Sequence, residues 1–133
     1  MSTVDEAMNK LADIVASLNN YDYYSPSSWN TGTAGEAQAY RWGRIVVLKI
    51  INPTKLAKGA NTCFTLPVGW RPYGMEYVHV LTAPNATTGA SDLRASISTN
   101  GNVNIYNYRS SAISGNTNSS GSFTYICDRT WGS

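Results

Sequence analysis

The spacing of apolar residues changes period once along the chain. Val4, Ala7, Leu11, Ile14 and Leu18 fall alternately three and four positions apart, with Tyr21 next in the series. This is the a/d rhythm of a coiled coil, and residues 4–19 hold no Gly or Pro. Ser2 or Thr3 can cap the helix, and Asp5 and Glu6 suit its positive end. Met8 and Val15 widen the seam on one side. Such a helix is only about 24 Å long and is marginal alone in water, so it needs a partner. The partner is either its own β-region or further copies of itself. Its terminal position, ahead of a polar stretch, favours bundling, with Val4, Leu11, Ile14 and Leu18 as the seam.

Downstream the period becomes two. Residues 38–42, 44–52, 61–66, 76–82, 92–98, 102–108 and 122–127 all read as strands. The run 44–52 is almost continuously β-branched, which predicts burial on both faces. Its second face, with Val47, then meets another sheet or another subunit, and Lys49 must escape or pair. In the later strands Leu93, Ala95, Ile97, Val103 and Ile105 point inward, and Phe123, Tyr125 and Cys127 share a face. Asn100-Gly101 between two alternating runs predicts a type I′ hairpin. The Ser-, Asn- and Gly-rich stretch 110–121 reads as a mobile loop. The organisation predicted is a neck helix (1–20), a linker (21–36) and an all-β antiparallel sandwich of jelly-roll type (37–133).

Composition supports virion or extracellular β-structure over a metabolic enzyme. Charged residues are only 14% of the 133, below the roughly 25% of an ordinary domain. The net charge of +2 is not gathered into any basic run, so a nucleic-acid partner is not expected. There is no secretory signal pattern and no apolar stretch of membrane-spanning length, so no membrane association is expected. Cys63 and Cys127 are either two buried thiols or a single bridge.

Catalytic chemistry has little to work with. The single histidine, His79, lies in an alternating strand and reads as a half-buried sheet residue. One His and two distant Cys do not make a zinc site. Glu36, Glu76, Asp92 and Asp128 carry no mark of an acidic pair. No catalytic residue, metal or cofactor is assigned, and the chain reads as a binding protein. What stands out is aromatics among polar loop residues: Trp29, Trp70, Tyr73, Tyr106, Tyr108 and Trp131. Flat rings stack on the apolar side of a sugar while nearby polar groups bond its hydroxyls. The candidate saccharide site is therefore Trp29, Trp70, Arg71, Tyr73, Tyr106, Tyr108 and Arg109. Each of these aromatics can equally be packed between sheets or subunits.

Four segments carry a family resemblance across about the last two-thirds of the chain. They are Gly43-Arg44-Ile45-Val46-Val47-Leu48, Thr65-Leu66-Pro67-Val68-Gly69-Trp70-Arg71-Pro72, Ile97-Ser98-Thr99-Asn100-Gly101-Asn102-Val103-Asn104-Ile105 and Gly121-Ser122-Phe123-Thr124-Tyr125-Ile126. In order and spacing they resemble the head domains of tail-fibre, baseplate and receptor-binding proteins of phages and prophages of Gram-positive bacteria. The resemblance implies a trimeric sandwich on a helical neck that binds a host-surface glycan or cell-wall polymer. It also implies contact with other tail or baseplate proteins, assembly in the bacterial cytoplasm, and action at the virion tip outside the host cell. Only the scaffold carries over, because sugar-contacting residues vary among such heads. The neck is short and a shoulder domain is absent from the pattern. Three other readings remain at this point: a purely structural tip or decoration protein, a monomeric lectin-like domain, and a hydrolase using an acidic pair.

Overall fold

The computed structural model of the chain describes residues 3–82 and 93–130. Their order is α1 (Thr3–Leu18), β1 (Asp22–Tyr24), β2 (Ala34–Trp42), β3 (Ile45–Thr54), β4 (Gly59–Thr65), β5 (Tyr77–Val80), β6 (Leu93–Ile97), β7 (Asn102–Asn107) and β8 (Ser120–Ile126). The strands form two four-stranded antiparallel sheets, ordered β1-β2-β3-β8 and β4-β7-β6-β5. The predicted sandwich with one N-terminal helix is therefore present. The inward residues follow the period of two: Val46, Leu48 and Ile50 from β3, Leu93, Ala95 and Ile97 from β6, Val103 and Ile105 from β7, and Phe123 and Tyr125 from β8. Each large side chain among them contributes roughly 1.5–3 kcal/mol by leaving water.

Five sequence expectations are corrected. First, β3 is buried on one face only in this chain: Ile45 is 52% exposed, Lys49 is exposed, and Val47 and Ile51 are half-buried on the outer face. Second, the stretch 21–36 is more than a linker. It supplies the edge strand β1, paired Tyr23 to Tyr40, and the first residues of β2. Third, His79 is exposed, not half-buried; β5 is an edge strand, hydrogen-bonded to β6 alone.

Fourth, the β6–β7 connection is not type I′. Gly101 N–H donates to Ser98 O at 2.9 Å and Ser98 N–H to Asn102 O at 3.0 Å. Gly101 has positive φ and Asn100 does not, which describes a turn followed by a left-handed glycine bulge. Fifth, part of the stretch 110–121 is tied down. Thr117 and Ser119 are buried. The Asn52 side-chain oxygen accepts the N–H groups of Thr117 and Asn118 at 3.1 and 3.0 Å, and Ile113 bridges to Leu56.

Two of the motifs that carry the resemblance meet in space. Leu66 N–H donates to Gly101 O at 2.8 Å, and Arg71 Nε donates to Leu66 O at 2.8 Å. A Cβ on Gly101 would stand 2.6 Å from Leu66 O and 2.7 Å from Arg71 Nε. The Leu-Pro-x-Gly-Trp-Arg-Pro loop is thus latched onto the hairpin, and only glycine fits the latch.

The sandwich is closed along its two sides by different means. On one side Trp29 covers Phe64 at 5.2 Å between ring centres, and Asn30 bonds the β4 carbonyls of Cys63 and Thr62. On the other, β5 lies along β8, with Tyr77 on Tyr125 and His79 edge-on to Phe123. Cys63 and Cys127 are both buried free thiols.

Candidate functional site

The outer face of the β4-β7-β6-β5 sheet gathers an aromatic and cationic group. Alternation sends Val103, Ile105 and Asn107 inward, leaving Asn102, Asn104 and Tyr106 on the outer side. The buried Asn107 amide donates to Leu56 O and Ser111 O and accepts from Arg109 N–H, which fixes the chain as it leaves β7. Tyr108 is held there, 60% exposed. The Tyr106 and Tyr108 rings lie 6.1 Å apart and 19° from parallel. Arg94 is paired with Tyr106 in register and sets its guanidinium 5.3 Å from the Tyr108 ring. Beside them runs a polar ladder: Thr62 donates to Asn104 Oδ1 at 2.6 Å and Thr65 to Asn102 Oδ1 at 2.8 Å. Flat rings, a cation and amides on one outward face can stack on a sugar ring and bond its hydroxyls.

The seven residues predicted for a saccharide site do not converge. Tyr106 and Tyr108 come together. Tyr73 is exposed on a separate loop, 5.2 Å beneath the Arg44 guanidinium. Arg109 is half-buried next to Tyr108.

Three are corrected. Trp70 is a core residue, with Arg41 4.3 Å from its ring and Tyr24 packed on it, and its carbonyl accepts the Tyr125 hydroxyl at 2.6 Å. Arg71 serves the latch. Trp29 is spent on Phe64, and a Cβ on Gly35 would stand only 2.6 Å from its ring. Trp131 lies outside the described residues. Arg94 is the residue that sequence reasoning misses: a two-residue Asn100-Gly101 turn would set it opposite Asn107, and only the observed turn, with Ser98 bonded to Asn102, sets it opposite Tyr106.

The residues predicted for a subunit interface are all on exposed or outward positions where described. Val4, Leu11 and Ile14 are exposed on α1, as are Met8 and Val15; the Leu18 side chain lies outside the described residues. Val47 sits on the outer face of the first sheet. The chain leaving the helix continues into an aromatic floor on that face, where Tyr21 and Tyr23 both pack on Tyr40, and Tyr21 also on Trp42. Ile45 and Ile126 extend it, paired in register with each other and, through Ile45, with Trp42.

The charged groups beside that floor hold one another. Asp22 accepts from Arg41 at 2.8 Å and from Arg129 at 3.2 Å. The Arg41 hydrogen bond chiefly holds the Asp22 carboxyl below its ordinary range. Asp128 accepts the N–H groups of Gly69 and Arg71. Burial pushes the Cys63 thiol up to about 12 and also raises the Tyr125 phenol, so neither is an activated nucleophile. Among the described residues no three His, Cys, Asp or Glu side chains are grouped to hold a metal. No described helix is long and apolar enough to cross a membrane.

Comparisons with protein-family models, curated proteins and solved structures find no match to this chain.

Proposed function

We propose that the chain is a non-enzymatic receptor-binding head of a phage-type tail or fibre, a jelly-roll-like sandwich on a trimeric coiled-coil neck, recognising a host-surface saccharide. The observation that carries the binding half is the outward Tyr106–Tyr108 pair with Arg94 beside it on a sheet face. A large ring turned outward leaves apolar surface in water, and a stacked ligand recovers that surface. The assembly half rests on α1, whose a/d residues Val4 and Leu11 are 68% and 53% exposed. A marginal helix with its apolar stripe in water gains most by bundling with equal helices. The same exposure speaks against the monomeric lectin-like reading, which needs the helix packed on its own sheet.

The test is a glycan and cell-wall polymer array probed with the full chain and with Tyr106→Ala and Tyr108→Ala. The expected result is binding to a saccharide class that weakens about tenfold on losing either ring, since burying apolar surface on a large side chain is worth roughly 1.5–3 kcal/mol. Absence of any saccharide binder would leave the structural-tip reading in its place.

A further inference from the structure

A second polar site lies on the opposite side of the sandwich from β4, along the free edge of β8. The β8 edge is tied at both ends: Thr82 and Ser120 exchange N–H···O bonds at 2.9 Å, and Tyr73 N–H donates to Ile126 O at 2.9 Å. Between these ties β5 approaches by side chains alone, through His79 and Tyr77. A cleft of about 430 Å³ opens there, its polar lining Lys49, His79, Thr82, Ser120 and Ser122, with Gly121, Ile50 and Ile51 completing it. Gly121 makes the approach possible: a Cβ there would stand 2.6 Å from the Leu81 side chain and 3.0 Å from the His79 ring. Its φ is ordinary for any residue, so the glycine serves space, not backbone conformation.

The lining is one-sided in its chemistry. Lys49 lies opposite Ser122 in register on the outer face, and its ammonium makes no ion pair or hydrogen bond among the described residues. His79 likewise makes no hydrogen bond among them, only its edge contact with Phe123. The hydroxyls of Ser120 and Ser122 complete the wall, beside that of Thr82, which donates to Ser120 O at 3.5 Å, and no described lining side chain is acidic. Donors around one cation, Lys49, with no acidic partner on a concave surface suit an oxyanion, because charge-assisted hydrogen bonds are the strong ones.

We propose that this cleft binds an oxyanionic group, phosphate or carboxylate, as an acidic saccharide carries. The proposal rests on the saccharide reading only for what carries the anion. Phosphate places three or four oxygens among the Lys49 ammonium, the His79 ring and the seryl hydroxyls, and carboxylate places two.

The experiment is an amide NMR titration of the full chain with inorganic phosphate, with a methyl glucuronide and with a neutral methyl glucoside, each against sodium chloride of equal ionic strength. The expected result is saturable shifts at residues 49–51, 79–82 and 120–122 with phosphate, the glucuronide or both, and none there with glucoside or chloride. Lys49→Ala and His79→Ala, both exposed positions, should each weaken that binding by about tenfold while leaving the far spectrum unchanged. Phosphate alone would assign the anion as phosphate, and the glucuronide alone as carboxylate. No saturable shift with either anion, or one that survives both substitutions, overturns the proposal. Glucoside shifts confined to Tyr106 and Tyr108 in that case would show that the aromatic site stands without it.

Discussion

At the scale of single residues, the latch at Gly101 gives the sharpest expectation. Its φ of 91° and the 2.6 Å approach of a built Cβ to a backbone oxygen act together. Gly101→Ala should cost about 2–4 kcal/mol, read as a lowered urea midpoint. Gly43→Ala, also at positive φ but with nothing within 4 Å, should cost about 1 kcal/mol. Cys63 sets an alkaline limit. The folded state holds its proton up to about pH 12 against an ordinary 9.0. The stability that this thiol contributes is therefore whole below pH 9 and falls as pH rises from there towards 12. Thermal melts between pH 8 and 11 should show that decline, with Cys63→Ala flattening part of it. Which residues face inward is legible from alternation alone, as Leu93 through Ile105 illustrate. Trp70 is not, because the groups that cover it, Tyr24 and Arg41, come from strands remote in sequence.

Among elements, α1 and β1 separate what periodicity can and cannot read. A 3-4 spacing sustained over residues 4–18 is enough to announce the helix. β1 escapes it because a three-residue edge strand is too short to show a period. That strand is held by ring contacts of Tyr21 and Tyr23 on Tyr40. The saccharide face is half legible: Tyr106 and Tyr108 stand out in the sequence, while Arg94 needs the register. Every described side chain of the helix is exposed, so the helix and the sandwich should be separable. Leu11→Asp with Val15→Asp is expected to lower the solution mass, since charges would be desolvated in a bundle. The melting of the sandwich, followed by Trp fluorescence, should stay within about 0.5 kcal/mol of the parent. Loss of sandwich stability would show instead that the helix packs on its own sheet.

For the whole molecule, Tyr23, Ile45 and Ile126 of the first sheet and Tyr21 just ahead of it are about half-exposed on one face, and α1 exposes its apolar stripe as well. A patch of that make-up on a chain of net charge +2 favours association over dispersal. Light scattering on a sizing column should give three times 14.4 kDa, about 43 kDa. A value of 14.4 kDa would remove both the neck and the subunit role of Val47.

The pairing of β3 with β8 has a consequence in time as well as space. Ile45 meets Ile126 and Ile51 meets Ser120, so the strand richest in β-branched residues waits for a partner that follows β4, β5, β6 and β7. Contacts of such sequence separation place the chain among slow folders, on the order of milliseconds to seconds. Until β8 emerges from the ribosome, β3 has β2 on one side and a bare hydrogen-bonding edge on the other, with Ile45, Val47 and Ile51 beside it. That edge is a template for other nascent chains. Slow synthesis, or truncation ahead of Ser120, should therefore drive the protein into inclusion bodies while leaving the β6–β7 hairpin sequence untouched.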